Sequence, residues 1–420
     1  MDLLLKKFFE PERWEHAIET GVGKGIDKGE LRKLCSPDVR AAMYKCIVSD
    51  NYEIAPPHQA KIPKDNGDFR IVYVNENVDR VFLSTVNDML FEMFPGMIHK
   101  SCKSYQSGIG CGKIVQEVSR RICSTKGDVI GWKSDLSKYF DSVPIRFIDE
   151  IFDEIECKAG KSKIIDVVRK YYHTDLCFDV EGNLIEHYQS LKQGCAVASF
   201  LADAVLYKID EMLSNLNGYY VRYSDDCLFV GEDYEEAMMI MQYMLSEMEM
   251  ALNPKKVEYL WADKWFKFLG FNIKGSMISL SKSRLKSFQK EITSRSIKNK
   301  DITEKKALNG INRYLYIGDG KFSWATSVLP IINVQKDIDA LNDFVMDCIR
   351  ACKTGKKKIG GLGSVNDMPD STILRGTGRN VKANREKTEK DIEGYYSLKC
   401  MQNVLLTNRA VYETIVRGMA

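Results

Sequence analysis

The chain has 420 residues, 44% of them hydrophobic, too many for one ordinary core, so a globular protein of two or three subdomains is expected. No window approaches the roughly 18 apolar residues of a membrane span, and Met1-Asp2-Leu3-Leu4-Leu5-Lys6-Lys7 is too short an apolar run for a secretion signal. Twelve scattered cysteines without a Cys-x-x-Cys exclude a zinc ribbon or disulfide framework, and a reducing cytoplasm with no membrane partner is the expected setting.

The net charge of +3 conceals an asymmetry. Residues 1–280 carry 35 Lys and Arg against 43 Asp and Glu, whereas residues 281–420 carry 26 against 15. An acidic body with a basic C-terminal third suits a protein that holds metal in one part and a phosphate backbone in the other.

Residues 1–55 read as charged helices, punctuated at Gly21-Val22-Gly23-Lys24-Gly25 and stopped at Pro56-Pro57. Residues 61–74 read as a hairpin across Asn66-Gly67, with Lys61, Lys64 and Arg70 near the turn as a triphosphate clamp or as edge-strand protection. A helical stripe runs from Asp79 to Phe94. The Ser107–Lys113 glycine-rich stretch lacks the Gly-Lys-Ser/Thr ending of a phosphate loop and reads as a turn into a helix around Val115–Cys123.

Val129–Asp135 reads as a buried strand ending at Asp135, either a metal ligand or a helix-capping carboxylate. Helical patterns follow at 145–157 and 161–173, then a hairpin of Leu176–Val180 and Leu184–Ser190. Gln193-Gly194 is expected to open a helix running to Asp210. The run Tyr219–Val230 reads as a third hairpin with Ser224-Asp225-Asp226 at its tip. Adjacent aspartates in a turn repel each other, and make sense around a cation shared with a third carboxylate. A methionine-rich helix at Ala237–Leu252 is read as adaptable core packing, and strands at Val257–Trp261 and Phe266–Ile273 follow it. Helices are expected at 281–295, 303–317 and 333–352, then a Lys/Arg/Gly/Asn-rich segment at 353–390 and a last helix at Asp391–Arg417.

A strand-end aspartate, a Gln-Gly pair, an Asp-Asp hairpin, a lysine and a strand pair succeed one another over residues 61–275. As a set this resembles the palm of a reverse transcriptase. The resemblance implies an α+β right-hand polymerase: an N-terminal helical extension (1–60), fingers (61–127), a palm (128–275, with a fingers insertion at about 145–190), a helical thumb (276–350) and a basic C-terminal extension (351–420). It implies that Lys61, Lys64 and Arg70 grip the incoming triphosphate. Asp135 with Phe140-Asp141 resembles motif A, Gln193-Gly194 motif B, and Tyr223-Ser224-Asp225-Asp226 motif C. Lys256, with Lys255 as an adjacent rival, resembles the motif D lysine, and Phe268-Leu269-Gly270 the primer grip. Phe140 takes the place of the gate that excludes a 2′-hydroxyl, or packs in the core. Tyr223 contacts the primer end or packs.

Two Mg²⁺ ions, with Mn²⁺ as a substitute, are then expected on Asp135, Asp225 and Asp226, about 3.5–4 Å apart. Asp225 is expected to be the stronger ligand, with Asp226 supporting it from the turn. The implied partners are an RNA template, the DNA product and dNTPs. Ala198-Ser199 in place of Ser-Pro, Asp203 in place of a common Asn, and Ser224 set the chain apart from ordinary group II and retroviral enzymes. The closest resemblance is to bacterial defence-associated and abortive-infection reverse transcriptases that copy a partner non-coding RNA. The alternatives are a template-independent nucleotidyltransferase of that type and a maturase-like RNA-binding protein.

Overall fold

The computed structural model describes residues 2–376 apart from 23–24, 65–66, 106–107, 300, 319–321 and 356–357. The turn residue Asn66, part of the Gly21–Gly25 punctuation and the expected helix at Asp391–Arg417 lie outside the described residues. The chain divides into two compact units, each assembled from separate stretches of sequence.

The first unit takes its residues from 2–105, Trp132–Phe229 and Asp233–Glu258. It begins with helices Leu3–Phe8, Pro11–Thr20, Lys28–Leu34 and Pro37–Val48. Their starts follow from local chemistry. Asp2, Asp27 and Ser36 accept hydrogen bonds from first-turn amides, and Pro11 and Pro37 occupy first helical positions where no amide is needed. Phe8 buries against Phe82 of helix Asn77–Met93, Trp14 meets Phe8 edge to face, and the Trp14 indole donates to the Phe8 carbonyl at 2.8 Å.

Strands β1 (His58–Pro63) and β2 (Phe69–Val74) form an antiparallel pair, Lys61 opposite Ile71 and Ile62 opposite Arg70. After β3 (Val129–Asp135), the short strands β4 (Leu176–Phe178) and β5 (Leu184–Glu186) extend that pair in the order β2-β1-β4-β5. Between β3 and β4 lie helices Ile145–Ala159 and Lys163–Tyr172. A second hairpin, β6 (Gly218–Tyr223) and β7 (Asp226–Gly231), places β7 between β6 and β3. Behind it, Trp132 of β3 stacks at 6.3 Å on Phe229 of β7, and both are fully buried. Each such burial contributes about 1.5–3 kcal/mol. The Trp132 indole is satisfied by the carbonyl of Tyr234, at the start of the methionine-rich helix Tyr234–Glu247.

One helical expectation needs correction. Gln193-Gly194 does not open a helix; the segment is irregular, the helix begins at Ala198, and it breaks after Ala204 before resuming at Tyr207–Ser214. The cause is a tertiary hydrogen bond. The Tyr73 amide of β2 donates to the Gln193 carbonyl at 2.7 Å, and Gly194 takes a left-handed φ of 110° beside it.

The described part of the second unit comprises Gly108–Gly131, Val230–Glu232 and residues from Tyr259 to 376. Helix Cys111–Ser124 appears where the sequence predicts it. The expected single strand Phe266–Ile273 is instead two, Phe266–Phe268 and Phe271–Lys274, and Met277–Leu280 completes a three-stranded antiparallel sheet. Leu269 and Gly270, with φ of 46° and 81°, make the turn that divides it. The helices are Lys282–Ser294, Glu304–Asn312, Trp324–Ser327 and Gln335–Thr354, and Arg313–Ile317 continues the second as a wider π turn. Phe288 and Trp324 meet edge to face at 4.6 Å. The buried Asp337 accepts from Ser371, Thr372 and the Ile373 amide, fastening strand Ile373–Arg375 to helix Gln335–Thr354.

Candidate active site

The site starts from a backbone contact. The Leu136 amide, one residue past β3, donates to the Asp225 carbonyl at 3.2 Å, so the end of β3 and the β6–β7 turn lie side by side. Asp225 is in that two-residue turn with Ser224, while Asp226 is the first residue of β7. The tip is therefore Ser224-Asp225, and the supporting position expected in the turn for Asp226 belongs to the strand. Ser224 takes a left-handed φ of 57°, the conformation that a tight two-residue hairpin demands.

Asp135 is buried. One carboxylate oxygen, Oδ2, is paired with the Lys256 ammonium, and the other, Oδ1, is enclosed without a hydrogen-bond partner. Lys256 arrives beside it because the Asn253 amide donates to the Asp135 carbonyl at 2.9 Å and the Lys256 amide to the Asn253 carbonyl. Of the two adjacent lysines, Lys256 makes the ion pair. Burial works against its charge, but Asp135, Asp225 and Asp226 together raise its pKa.

The carboxyls show the converse. Burial, and then the negative charge of Asp135, hold Asp225 above the usual range. Asp226, though open to solvent on one side, is pushed up to about 6 by the surrounding protein and then by Asp225 and Asp135. Three acidic groups crowd the end of β3 and the adjoining β6–β7 turn, with the Lys256 ammonium paired to Asp135. Among the described residues, no three acidic, histidine or cysteine side chains are arranged to hold one ion at once. The donor set nevertheless suits a hard divalent cation: carboxylate oxygens, one of them buried and orphaned, and mutual repulsion that a cation relieves.

The other predicted residues divide. Gln193 and Gly194 lie against β2 through Tyr73; a Cβ at Gly194 would stand 2.7 Å from the Tyr73 carbonyl oxygen, so the glycine permits the contact. Phe140 is half-buried against the core and meets Tyr139 edge to face at 5.6 Å. Lys64 and Arg70 both reach Asp141 with their charge, and Arg70 reaches Asp225. Lys61 does not join them: side chains opposite each other on β1 and β2 share a face, and Arg70 stands opposite Ile62, so Lys61 occupies the other face. The three-cation cluster expected from the sequence is thus divided by register. Tyr223 ends β6, half-buried. Phe268, Leu269 and Gly270 belong to the second unit.

Sequence reasoning missed the support beneath the turn. Arg222 is fully buried in β6 and paired with Asp210 at 2.6 Å. Asp203 lies beside it, 3.6 Å from its guanidinium. The available signal was a lone arginine in a buried strand with two aspartates seven positions apart on the preceding helical stretch, one above the other on a face. Also missed was Lys192, buried next to Gln193. Its ammonium donates to the Thr174 carbonyl at 2.7 Å, and burial brings its pKa down to about 8.

Residues 62–273, half of the chain, match the family model described as reverse transcriptase (RNA-dependent DNA polymerase). No curated protein sequence matches the chain. Among solved structures, telomerase from Candida tropicalis with a TWJ fragment of telomeric RNA aligns at TM-score 0.48 and 14% identity, over 91% of this chain and 68% of that one. Apo telomerase from Candida tropicalis aligns at 0.46 and 13%, over 71% and 58%. The same apo enzyme truncated of its C-terminal domain aligns at 0.42 and 15%, over 56% and 59%. The chain thus spans under three fifths of the length of these last two, and likeness at this level is too distant to inform activity or partners.

The fold is that of an α+β right-hand polymerase. The chain belongs to the reverse transcriptase family and carries its RNA-dependent DNA polymerase domain. Domains of this family generally use divalent metal ions.

Proposed function

We propose that the protein is an RNA-directed DNA polymerase that copies a partner non-coding RNA into DNA, in the cytoplasm, as part of bacterial antiphage defence. The observation that carries the polymerase reading is the meeting of Asp135 with the Asp225-Asp226 hairpin beside Lys256, within a reverse transcriptase domain. Asp135, Asp225 and Asp226 would hold the metal ions, Mg²⁺ by donor type with Mn²⁺ as a substitute. Bound there, divalent cations would activate a primer hydroxyl and neutralise charge on the leaving diphosphate.

The residues of the chain supply the remainder. Lys256 offers a proton-bearing ammonium beside the carboxylates. Arg70, which acts on Asp225 and Asp141, and Lys64, which acts on Asp141, would offer positive charge to a triphosphate, and Lys61 adds charge on the opposite face of the hairpin. Phe140 would exclude a 2′-hydroxyl. Gln193 and Gly194, fixed on β2, would lie under the new base pair, with Tyr223 at the primer end and Phe268, Leu269 and Gly270 gripping the primer. The functional division keeps the extension, fingers, palm, thumb and basic tail boundaries expected from the sequence.

The defence reading draws on the departures at Ala198-Ser199, Asp203 and Ser224, and the partner-RNA reading on the excess of basic residues after 280. Immunoprecipitation from cells, followed by sequencing of bound RNA and newly made DNA, tests it. One enriched RNA with DNA complementary to it is expected. DNA without a complement in the bound RNA would favour template-independent synthesis, and bound RNA without DNA a maturase-like role.

A further inference from the structure

Ser224 is held by both of its main-chain polar groups, and both holders are buried. Its amide donates to the Ser104 hydroxyl at 3.0 Å, and its carbonyl accepts from the Arg222 guanidinium at 3.1 Å. The Ser104 hydroxyl spends its single proton on Asp203, at 2.6 Å, which leaves its lone pairs for the Ser224 amide. Arg222 is itself fixed by the Asp210 carboxylate at 2.6 and 2.8 Å and by the Asp203 carbonyl at 2.9 Å. Ser104, Asp203, Asp210 and Arg222 are each fully buried.

The segment that delivers Ser104 is anchored independently. The Arg222 amide donates to the Ser101 carbonyl at 3.1 Å and the Lys103 amide to the Arg222 carbonyl at 2.8 Å, so residues 101–104 run alongside β6.

These contacts act on a residue whose conformation needs holding. A serine at φ 57° sits in a sparsely populated region that persists only where the surroundings hold it. Asp225 follows it directly. A turn free to relax at Ser224 would swing the Asp225 and Asp226 carboxylates relative to Asp135. Buried charge is an expensive way to secure a turn, and although the second Asp203 oxygen, Oδ2, is enclosed without a hydrogen-bond partner, the bonds that the network does make rigidify what they touch.

We propose that Ser104 and Asp203 are positioning residues of the catalytic turn: Asp203 orients the Ser104 hydroxyl, and Ser104 locks the Ser224 amide so that Asp225 and Asp226 face Asp135. Neither residue touches substrate or metal. The proposal rests on the polymerase reading above and deepens it.

The test compares S104A, D203A and D203N with the wild-type chain, measuring kcat and KM for dNTP in primer extension, Mn²⁺ affinity by titration without substrate, and melting temperature. Asparagine keeps the carbonyl that accepts from Ser104, whereas alanine removes it. Misplacement of reacting groups by an ångström or less costs up to about 100-fold, so S104A and D203A are expected to lose about 10- to 100-fold in kcat with little change in KM. They should also bind Mn²⁺ about 10-fold more weakly, while D203N stays near wild type on both counts.

A purely structural role predicts a lower melting temperature with kcat per folded molecule and Mn²⁺ affinity unchanged, and that result overturns the proposal. D203N as impaired as D203A also overturns it. Should S104A fail to fold, S104C, close in size and with a weaker hydrogen-bonding thiol, serves the same comparison. An inactive wild-type chain would refute the polymerase reading instead, and the Mn²⁺ titrations would still decide this proposal.

Discussion

Lys256 and Asp135, 121 positions apart, meet as an ion pair at one carboxylate oxygen, while the other oxygen of Asp135 stays buried and unpartnered. The pair sits beside the turn that also carries Asp225 and Asp226, whose charges raise the lysine's pKa. Removing the lysine takes away the one cation paired with these carboxylates and leaves only the weaker charges of Arg70 on Asp225 and Lys133 on Asp226. K256M is therefore expected to push the Asp225 and Asp226 pKa values further up and to move the rising limb of the pH–rate profile to higher pH. A loss of about 100-fold in kcat is expected if the ammonium also delivers a proton. Steady-state primer extension across pH checks both effects.

The raised carboxyl pKa values also predict how stability varies with pH in the metal-free protein. Asp226 is pushed up to about 6 from an unperturbed 3.8, so between those values the folded chain binds more protons than the unfolded one. Stability from this group is then lost as pH rises through that window, and the penalty is fully present above pH 6. D226N removes it. The variant should melt higher than the wild type at pH 7, and the difference should vanish below about pH 4. Thermal melts without divalent ions at the two pH values check the sign.

Gly194 gives a steric prediction. A Cβ there would meet the Tyr73 carbonyl oxygen at 2.7 Å and its amide nitrogen at 3.2 Å, at a φ of 110° that side chains rarely adopt. G194A is expected to part Gln193 from β2 and destabilise the fold by about 1–3 kcal/mol. KM for dNTP should rise more than kcat falls, because Gln193 moves and the carboxylates do not. Denaturant melts and steady-state kinetics test the split.

Phe140 bears on choice of sugar. If the half-buried ring closes off the 2′ position, F140A should lower the preference for dNTP over rNTP by at least about 10-fold in kcat/KM. A ring that serves only as packing predicts lower stability with the preference intact.

The legible part of this chain was what repeats locally. The N-terminal helices, the β1–β2 hairpin and the strand ending at Asp135 follow from periodicity, capping residues and turn chemistry, all written within a few positions of where they act. The Asp225-Asp226 hairpin was legible for the same reason, although which aspartate occupies the turn was not, since a one-residue shift leaves the composition unchanged.

What sequence could not give depends on contacts made across the chain. Gln193-Gly194 reads as a helix start, but the Tyr73 amide takes the Gln193 carbonyl and the backbone is left-handed at Lys192 and Gly194. Lys61 and Arg70 look clustered along the chain and are separated by strand register. Ser104 carries no pattern at all; its meaning comes from Asp203 and Ser224, which lie 99 and 120 positions away.

The most direct test of the account is extension of a DNA primer on a defined RNA template, comparing the wild type with D135N. The substitution keeps the size of the side chain and removes the charge shared with Lys256 and with Asp225 and Asp226. The account predicts products complementary to the template from the wild type and a loss of about 10³-fold or more from D135N, with little change in melting temperature. Template-directed synthesis that survives in D135N would contradict it.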